Sequence, residues 1–309
     1  MNKKSNKQDK IELFTEEGKS RGFYSPRNRL NDLTGKEWLY WTKSVINKPY
    51  PSNFCHKLRS RHGGQKPPEL CADLIRIFTK EGMHVLDPFA GVGGTLLGAS
   101  LAGRKATGIE MNKEWIDIYS QVCREESVTE QTMILGDSLE VLPHMQKGKP
   151  TYQAAENELQ EAEQPPQFDF LLTDVPYWNM DRVEKSKGKY KKVGEKLKGK
   201  PSTKLSAFNG SAVQTKEEWL ADLQKVFSAA VPLLKPEAYI AVFIGDMYNK
   251  GKYHFLSADL ARVLQKLNLT MKANLVWYDV SKKLHLYGYQ YQFIPSMIHQ
   301  NILIFTTPA

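Results

Sequence analysis

Short apolar runs alternate along the chain with segments in which apolar residues recur at helical spacing. The runs that predict buried strands lie at residues 83–86, 106–109, 132–135, 168–173, 239–244, 274–278 and 301–305. Helical spacing occurs at residues 70–78, 112–124, 217–234 and 256–267, and another helix is expected to begin near Gly94. The alternation predicts right-handed βαβ units. We therefore expect an α/β fold with a mostly parallel seven-stranded sheet, helices on both faces and an antiparallel last strand.

Some regions fall outside this alternation. Residues 1–60 are predicted to form an amino-terminal extension, in which a short helix packs Trp38 and Trp41 inward; contact with nucleic-acid bases is the alternative role for this segment. Residues 147–167 are polar and proline-bearing, which predicts a surface insertion. Residues 178–215 combine lysines with glycines and predict a loop. Pro236 is expected to separate the third helical segment from the strand that follows it.

The composition is typical of a globular protein, with 41% hydrophobic and 25% charged residues. No apolar stretch approaches the roughly 18 residues that a membrane span needs. No apolar segment follows the basic start of the chain, so we expect a cytoplasmic protein without a membrane partner. Cys55, Cys71 and Cys123 lack metal-ligand spacing, which predicts structural thiols and no metal site.

A carboxylate, a rigid bend and an aromatic ring follow the run at 168–173. Asp174-Val175-Pro176-Tyr177 stands at the carboxyl end of this predicted strand, where open α/β sheets bind ligands. A flat ring beside a carboxylate and backbone carbonyls can hold a nucleobase by its face and bind its exocyclic amine. For these four residues taken alone, a turn with one packed aromatic is the alternative.

A glycine-rich segment, Asp87-Pro88-Phe89-Ala90-Gly91-Val92-Gly93-Gly94-Thr95, lies between a predicted strand and a predicted helix. Its small residues let a ligand approach backbone amides, which predicts a nucleotide-type site, with a tight packing turn as the alternative. Glu110 ends the next strand at the spacing of a carboxylate that accepts from ribose hydroxyls. Asp137 ends the third strand and either accepts from an adenine amino group or caps a helix. NAD is disfavoured because Leu96 replaces the third glycine of the dinucleotide fingerprint.

Taken together, the glycine-rich segment and Asp174-Val175-Pro176-Tyr177 resemble the cofactor and catalytic motifs of the N6-adenine/N4-cytosine DNA methyltransferase family. A third segment, His62-Gly63-Gly64-Gln65-Lys66-Pro67-Pro68-Glu69-Leu70, resembles the HPTQKP-type motif of that family. The resemblance covers roughly residues 61–306 and implies a Rossmann-like methyltransferase fold, with 61–309 as the catalytic domain. It also implies S-adenosylmethionine as cofactor and the N6 amine of a flipped adenine in double-stranded DNA as the methyl acceptor.

The resemblance assigns roles to individual residues. The predicted cofactor-binding residues are Lys66, Asp87, Phe89, Gly91, Gly93, Glu110 and Asp137, and the predicted catalytic residues are Asp174, Val175, Pro176 and Tyr177. Asp87 and Phe89 would line the methionine side of the cofactor, and Lys66 would lie near its carboxylate. The chain departs from the family pattern at Val175, where a proline is usual, although the Val175 carbonyl stays available as an acceptor. The third segment and the glycine-rich segment precede the catalytic segment, whereas this order is reversed in the subgroup whose motif sequences they most resemble.

The positive charge is concentrated directly after the catalytic segment. Residues 182–204 contain ten Lys or Arg and two Glu, whereas the whole chain has a formal charge of +9. This tract predicts a loop that contacts DNA phosphates through Lys185, Lys187, Lys189, Lys191 and Lys192, with a solvated loop as the alternative. DNA is the predicted partner, and a cognate restriction endonuclease is a further candidate.

Rival functions follow from the same residues. A cytosine-N4 DNA methyltransferase or an RNA-base methyltransferase would keep the fold and change the acceptor. A non-catalytic DNA-binding module with a degenerate site is the rival from another class, because position 175 departs from the family pattern.

Neutralising the five lysines of the basic loop tests its role. Replacing Lys185, Lys187, Lys189, Lys191 and Lys192 with glutamine is expected to weaken DNA binding and to flatten its salt dependence, by up to about 0.9 in logarithmic slope for each phosphate that is no longer neutralised. Equilibrium binding measured across a salt series gives the slope. An unchanged slope would show that the loop does not contact phosphates.

Overall fold

The computed structural model describes residues 10–148, 165–178, 215–249, 251–280, 282, 284 and 293–309. The five lysines of the predicted basic loop lie outside the described residues, as do residues 149–164 of the predicted insertion. The predictions for them stay predictions.

The described elements follow the alternation seen in the sequence. The strands are β1 (Ile11–Phe14), β2 (Ser20–Tyr24), β3 (Val45–Ile46), β4 (His84–Asp87), β5 (Lys105–Glu110), β6 (Thr132–Leu135), β7 (Phe168–Asp174), β8 (Leu234–Ile244), β9 (Met247–Asn249), β10 (Lys252–His254), β11 (Thr270–Tyr278) and β12 (His299–Thr306). The helices are α1 (Gly35–Trp41), α2 (His56–Arg59), α3 (Pro68–Phe78), α4 (Gly94–Ala102), α5 (Lys113–Glu125), α6 (Ser138–Gln146), α7 (Lys216–Ala230) and α8 (Leu256–Gln265).

The main sheet has eight strands in the order β3-β11-β12-β8-β7-β4-β5-β6. β12 runs antiparallel to both of its neighbours, and the other pairings in this sheet are parallel. The predicted α/β class, the mostly parallel sheet and the antiparallel last strand are confirmed. The additional strand is β3, whose two residues are too short to carry a periodic pattern.

Helices cover both faces of this sheet, as predicted. On one face, α3, α4 and α5 share one hydrophobic cluster with the sheet. On the other face, α6, α7 and α8 share a second cluster. β7 lies between the clusters and is buried on both sides, with Leu171 in one cluster and Phe170 and Leu172 in the other. No helix among the described residues has the length and apolarity needed to cross a lipid bilayer.

The strand order reverses between β4 and β7. From β4 the chain proceeds to β5 and β6 on one side, whereas β7 is followed by β8 on the other. Connections that leave a sheet in opposite directions open a crevice at the carboxyl ends of the strands. Asp87 ends β4 and Asp174 ends β7, so the two predicted motif segments flank this crevice.

α3 and α4 approach each other closely at Gly98. A Cβ on Gly98 would lie 2.6 Å from the Cβ of Cys71 and 2.8 Å from the Ala72 nitrogen. A Cβ on Gly94, at the start of α4, would lie 3.1 Å from the Lys66 carbonyl oxygen. This close packing holds the segment before α3, including Lys66, against the glycine-rich turn.

Two sequence predictions are wrong in detail. Pro236 does not precede β8 but lies within it, because the register shifts between Phe168 and Phe170 of β7 and accommodates residues 235–238 in an irregular stretch. Proline is tolerated there because no regular ladder bond needs its missing N–H. The helix around Trp38 exists as α1, but it buries none of its residues, and Trp38 is 41% exposed. α1 is anchored by polar contacts instead, since Thr34 caps it and Glu37 pairs with Arg21.

Substituting Gly98 tests the packing of α3 against α4. Gly98→Ala is expected to lower the free energy of unfolding by about 1–3 kcal/mol, because the added methyl group meets atoms that cannot move away without shifting backbone. Gly35→Ala, whose Cβ would meet nothing within 4 Å, is the matched control and should change little. Urea unfolding of both variants measures the difference. Equal stability of the two variants would contradict the close approach.

Candidate functional site

A cleft of about 970 Å³, counted with its open mouth, lies at the reversal point between β4 and β7. Ten of the eleven described residues predicted to bind cofactor or base line it: Lys66, Asp87, Phe89, Gly91, Glu110, Asp137, Asp174, Val175, Pro176 and Tyr177. The structure thus brings residues from four strand ends and the entry to α3 into one place, while their individual roles stay predictions.

Gly93 is the predicted residue that does not line the cleft. It caps α4 with φ +73°, and a Cβ there would lie 2.1 Å from the Tyr119 ring. Gly91, with φ +52°, does line the cleft, and a Cβ there would lie 3.0 Å from the His62 ring. Both positions require glycine, but Gly93 requires it for packing and Gly91 for a turn that faces the cleft.

Asp87 joins the ends of the two central strands. Its Oδ1 accepts from the Phe89 N–H at 3.0 Å and from the Thr173 hydroxyl at 2.6 Å, and the side chain is buried. Thr173 immediately precedes Asp174 in β7. Burial raises the pKa of Asp87 to about 6, although its hydrogen bonds act in the opposite direction. Asp87 therefore fixes the turn that follows β4 to the strand that carries Asp174.

Glu110 holds the glycine turn from the other side. Its Oε2 accepts from the Gly91 N–H at 2.9 Å and its Oε1 from the Asn112 N–H at 2.8 Å. Burial raises the pKa of Glu110 to about 7 despite these two bonds. A carboxylate has about four lone-pair sites, more than the three backbone N–H groups of Gly91, Met111 and Asn112 that act on Glu110. The carboxylate can therefore organise the turn and still accept from a ligand hydroxyl.

The sequence left two roles open for Asp137, a ligand acceptor or a helix cap. Its side chain accepts from the Leu139 N–H at 2.9 Å and caps α6, a helix that the strand-and-helix pattern had not predicted. The same residue lines the cleft. Next to it, the Ser138 hydroxyl donates to the Pro88 carbonyl and ties the start of α6 to the glycine-rich segment.

Lys66 and Asp174 form an ion pair inside the cleft, with their side chains 7% and 19% exposed. The pair joins Nζ to Oδ2, and Asp174 Oδ1 accepts no hydrogen bond from the described residues. Burial raises the pKa of Asp174, against the lowering effect of Lys66 and of the nearby Tyr177 hydroxyl. The resemblance placed Lys66 near a cofactor carboxylate. In this structure its ammonium binds the predicted catalytic carboxylate instead.

Two residues that the sequence did not single out hold the predicted catalytic turn, residues 174–177. The indole N–H of Trp219 in α7 donates to the Pro176 carbonyl at 2.7 Å. The side-chain amide of Gln300 in β12 donates to the Tyr177 hydroxyl at 3.0 Å. Trp219 lies 43 residues from its partner and Gln300 lies 123 residues away, so no local motif could have shown either contact.

Three further cleft residues, Met111, His62 and Trp115, were given no individual role by the sequence. Met111 directly follows Glu110 and is 48% exposed, so it offers an apolar surface beside a carboxylate. The His62 ring packs edge-on against Trp115 at 5.2 Å between centroids. Burial, followed by the charges of Lys66 and Arg59, lowers the pKa of His62 to about 4, so the ring is neutral at physiological pH. A signal for Met111 was present in the sequence, since it is the apolar residue next to the strand-end carboxylate.

The charge of the cleft is unbalanced. Its described lining includes four carboxyl groups, Asp87, Glu110, Asp137 and Asp174, of which Glu110 is partly protonated at neutral pH because its pKa is raised to about 7. Lys66 is the cationic residue of this lining, since His62 is neutral. Excess negative charge in a partly buried cleft attracts a cationic ligand.

A known family model matches the amino-terminal part of the chain. The model of the N6/N4 DNA methylase family, described as DNA methylase, matches residues 1–121. The match includes the glycine-rich turn and Glu110, and it begins sixty residues before the motifs that carry the resemblance. It ends before Asp174, so the predicted catalytic segment lies outside the match.

Individual relatives are similar over a limited length. Type II methyltransferase M2.DpnII of Streptococcus pneumoniae is 36% identical over 107 residues, which are 34% of this chain and 37% of that protein. Type II methyltransferase M.HpaI of Haemophilus parainfluenzae is 31% identical over 125 residues, 38% of each protein. The chain thus spans little more than a third of the length of these curated relatives. Among solved structures, TrmN from Thermus thermophilus has a TM-score of 0.48 at 14% identity, covering 83% of this chain and 52% of that one.

Replacing Asp87 tests the cost of the buried carboxyl. Burial raises its pKa from 3.8 to about 6, so the group stabilises the fold below about pH 4 and this contribution is lost as the pH rises through about 6. Asp87→Asn keeps an oxygen that can accept from Phe89 and Thr173. Between about pH 4 and pH 7, the free energy of unfolding of the wild type is expected to fall by about 2 kcal/mol more than that of Asp87→Asn. Urea unfolding at both pH values checks this, and an equal fall in both proteins would contradict it.

Proposed function

We propose that this chain, whose residues 1–121 match the N6/N4 DNA methylase family, is an S-adenosylmethionine-dependent DNA methyltransferase that acts on the N6 amine of an adenine flipped out of duplex DNA. The observation that carries the proposal is the common cleft of the glycine turn and the Asp174 segment at the reversal point of the sheet. A methyl donor and a target base must meet in one cavity, and these two segments provide its opposite walls.

The described residues suit the cofactor. S-adenosylmethionine supplies a methyl group on a cationic sulfonium, and the excess of carboxylates in the cleft favours a cation of this kind. Glu110 can accept from ribose hydroxyls, and Asp137 can accept from an adenine amine. Met111 and Phe89 contribute apolar surface to the same cleft. Lys66 would meet the amino-acid carboxylate.

Asp174 and its neighbours suit the target base. The lone pair of an adenine amine is delocalised into the ring, so the amine is a poor nucleophile. Hydrogen bonds from the amine to the Asp174 carboxylate and to the Val175 carbonyl would favour a more tetrahedral nitrogen with its lone pair directed at the methyl group. Tyr177 would contact the face of the flipped base and offset part of the unstacking cost of a few kcal/mol. Trp219 and Gln300 support this role because they fix the backbone and the ring of the turn.

Adenine is the proposed acceptor because position 174 is aspartate. By family analogy, aspartate at this position accompanies adenine-N6 transfer more often than cytosine-N4 transfer. The basic loop at 178–215 is proposed to contact the DNA backbone, in accord with the net charge of +9. A cognate restriction endonuclease and a cytoplasmic location stay predictions.

Nucleoside analysis after incubation with labelled S-adenosylmethionine tests the proposal. Labelled N6-methyladenine in duplex DNA is the expected product. Labelled N4-methylcytosine would identify cytosine N4 as the acceptor, and label in RNA would identify an RNA base. DNA binding without transfer would show a non-catalytic module.

Asp174→Asn tests the catalytic carboxylate. The neutral amide lacks the charge that stabilises the amine as it becomes nucleophilic, so we expect kcat for methyl transfer to fall by about 10²–10³-fold. Asp169→Asn is the matched control, because Asp169 lies at the opposite end of β7 and pairs with Lys235 at 2.5 Å. Single-turnover rates on duplex DNA measure both variants. Wild-type rates for Asp174→Asn would refute the assigned role.

A further inference from the structure

We propose that Lys66 is a switch that couples the two ligands, because Asp174 holds its ammonium before the cofactor binds and the amino-acid carboxylate of the cofactor draws it away. Both oxygens of the base-binding carboxylate then become available only after the cofactor has bound. This inference deepens the proposed function and rests on it.

The Lys66 ammonium occupies the place that a target amine would need. It binds Asp174 Oδ2 and lies over the Tyr177 ring, 5.8 Å from its centroid. It also lies 5.4 Å from the centroid of the Phe243 ring. An exocyclic amine that reached Asp174 beside Tyr177 would meet the same carboxylate and the same ring. The amine and the ammonium therefore compete for Oδ2 of Asp174.

The Lys66 side chain can move although its backbone cannot. The Lys66 carbonyl accepts from the buried Arg59 guanidinium at 2.8 Å and lies where a Cβ on Gly94 would be only 3.1 Å away. Pro67 and Pro68 follow at once and restrict the backbone further. The four-carbon stem of a lysine has several rotamers, so its ammonium can exchange one anion for another about a fixed backbone.

The cofactor carboxylate has few alternatives. Among the described residues that line the cleft, Lys66 is the one that is cationic at neutral pH, since His62 is neutral there. A buried carboxylate without a cation is unfavourable, so Asp174 and the cofactor carboxylate compete for one ammonium. When the cofactor takes it, Asp174 is left without a cationic partner, and the amine of the base supplies donors in its place. Cofactor binding should therefore favour base binding, and the coupling must be reciprocal.

Removing the competitor should tighten cofactor binding. The probe is S-adenosylhomocysteine without DNA, because it has the carboxylate but no sulfonium charge that Asp174 would attract directly. Asp174→Asn is expected to lower its Kd by about five- to tenfold relative to the wild type, as measured by isothermal titration calorimetry. Asp169→Asn, the same substitution at the other end of β7, should leave Kd unchanged.

Two comparisons test whether the effect needs the amino-acid carboxylate and Lys66, and the second also separates the switch from simple charge repulsion. 5′-Methylthioadenosine has no amino-acid carboxylate, so its Kd should be equal for the wild type and Asp174→Asn. In a Lys66→Met background, S-adenosylhomocysteine should bind more weakly, and Asp174→Asn should no longer tighten it. Thermal unfolding checks that the Lys66→Met proteins are folded, and the methylthioadenosine comparison holds without them.

The outcomes are distinct. Equal affinity of the wild type and Asp174→Asn for S-adenosylhomocysteine overturns the switch and leaves the proposed function intact. Tightening that persists for 5′-methylthioadenosine, or in folded Lys66→Met protein, also overturns it, because the effect would then depend neither on the amino-acid carboxylate nor on Lys66. No binding of either ligand by any of the proteins overturns the proposed function and the switch together.

Discussion

The hydrogen bond from the Thr173 hydroxyl to Asp87 is the constraint on which the candidate site depends. It joins the ends of β4 and β7 at the point where the strand order reverses. A crevice at a reversal point is open by topology, and its two walls need a link that sets their spacing. Asp87 provides the link with one oxygen, which also accepts from the Phe89 N–H and so fixes the start of the glycine-rich turn. The position of Asp174, one residue beyond Thr173, follows from the same bond.

The cleft keeps several charges at a cost in stability. Burial raises the pKa values of Asp87, Glu110 and Asp174, so each is less stable as an anion than it would be in water. Backbone N–H groups compensate Glu110, and a lysine compensates Asp174. The cost of burying these charged groups is concentrated in the cleft. The two hydrophobic clusters of the sheet supply the stability.

Local patterns predicted most of the helices and strands around the cleft. Residues 132–135 were predicted as a strand and are β6, and the helix expected near Gly94 is α4. These predictions succeeded because periodicity reports which side of an element is buried. β3 and the β1–β2 hairpin were missed, since short edge strands carry little of this signal. Pro236 was misplaced because a shift in register between β7 and β8, which depends on both strands, accommodates it.

Local patterns specify which chemical groups stand at the strand ends, because a carboxylate or glycine that follows an apolar run is a local feature. Of the eleven residues predicted to bind cofactor or base, ten line the cleft, whereas Gly93 serves packing. What these groups contact depends on the tertiary structure. The pairing of Lys66 with Asp174 joins residues 108 positions apart, and Trp219 and Gln300 reach the catalytic turn from other elements. Such contacts depend on how α3, α7 and β12 pack on the sheet, and no local pattern encodes that packing.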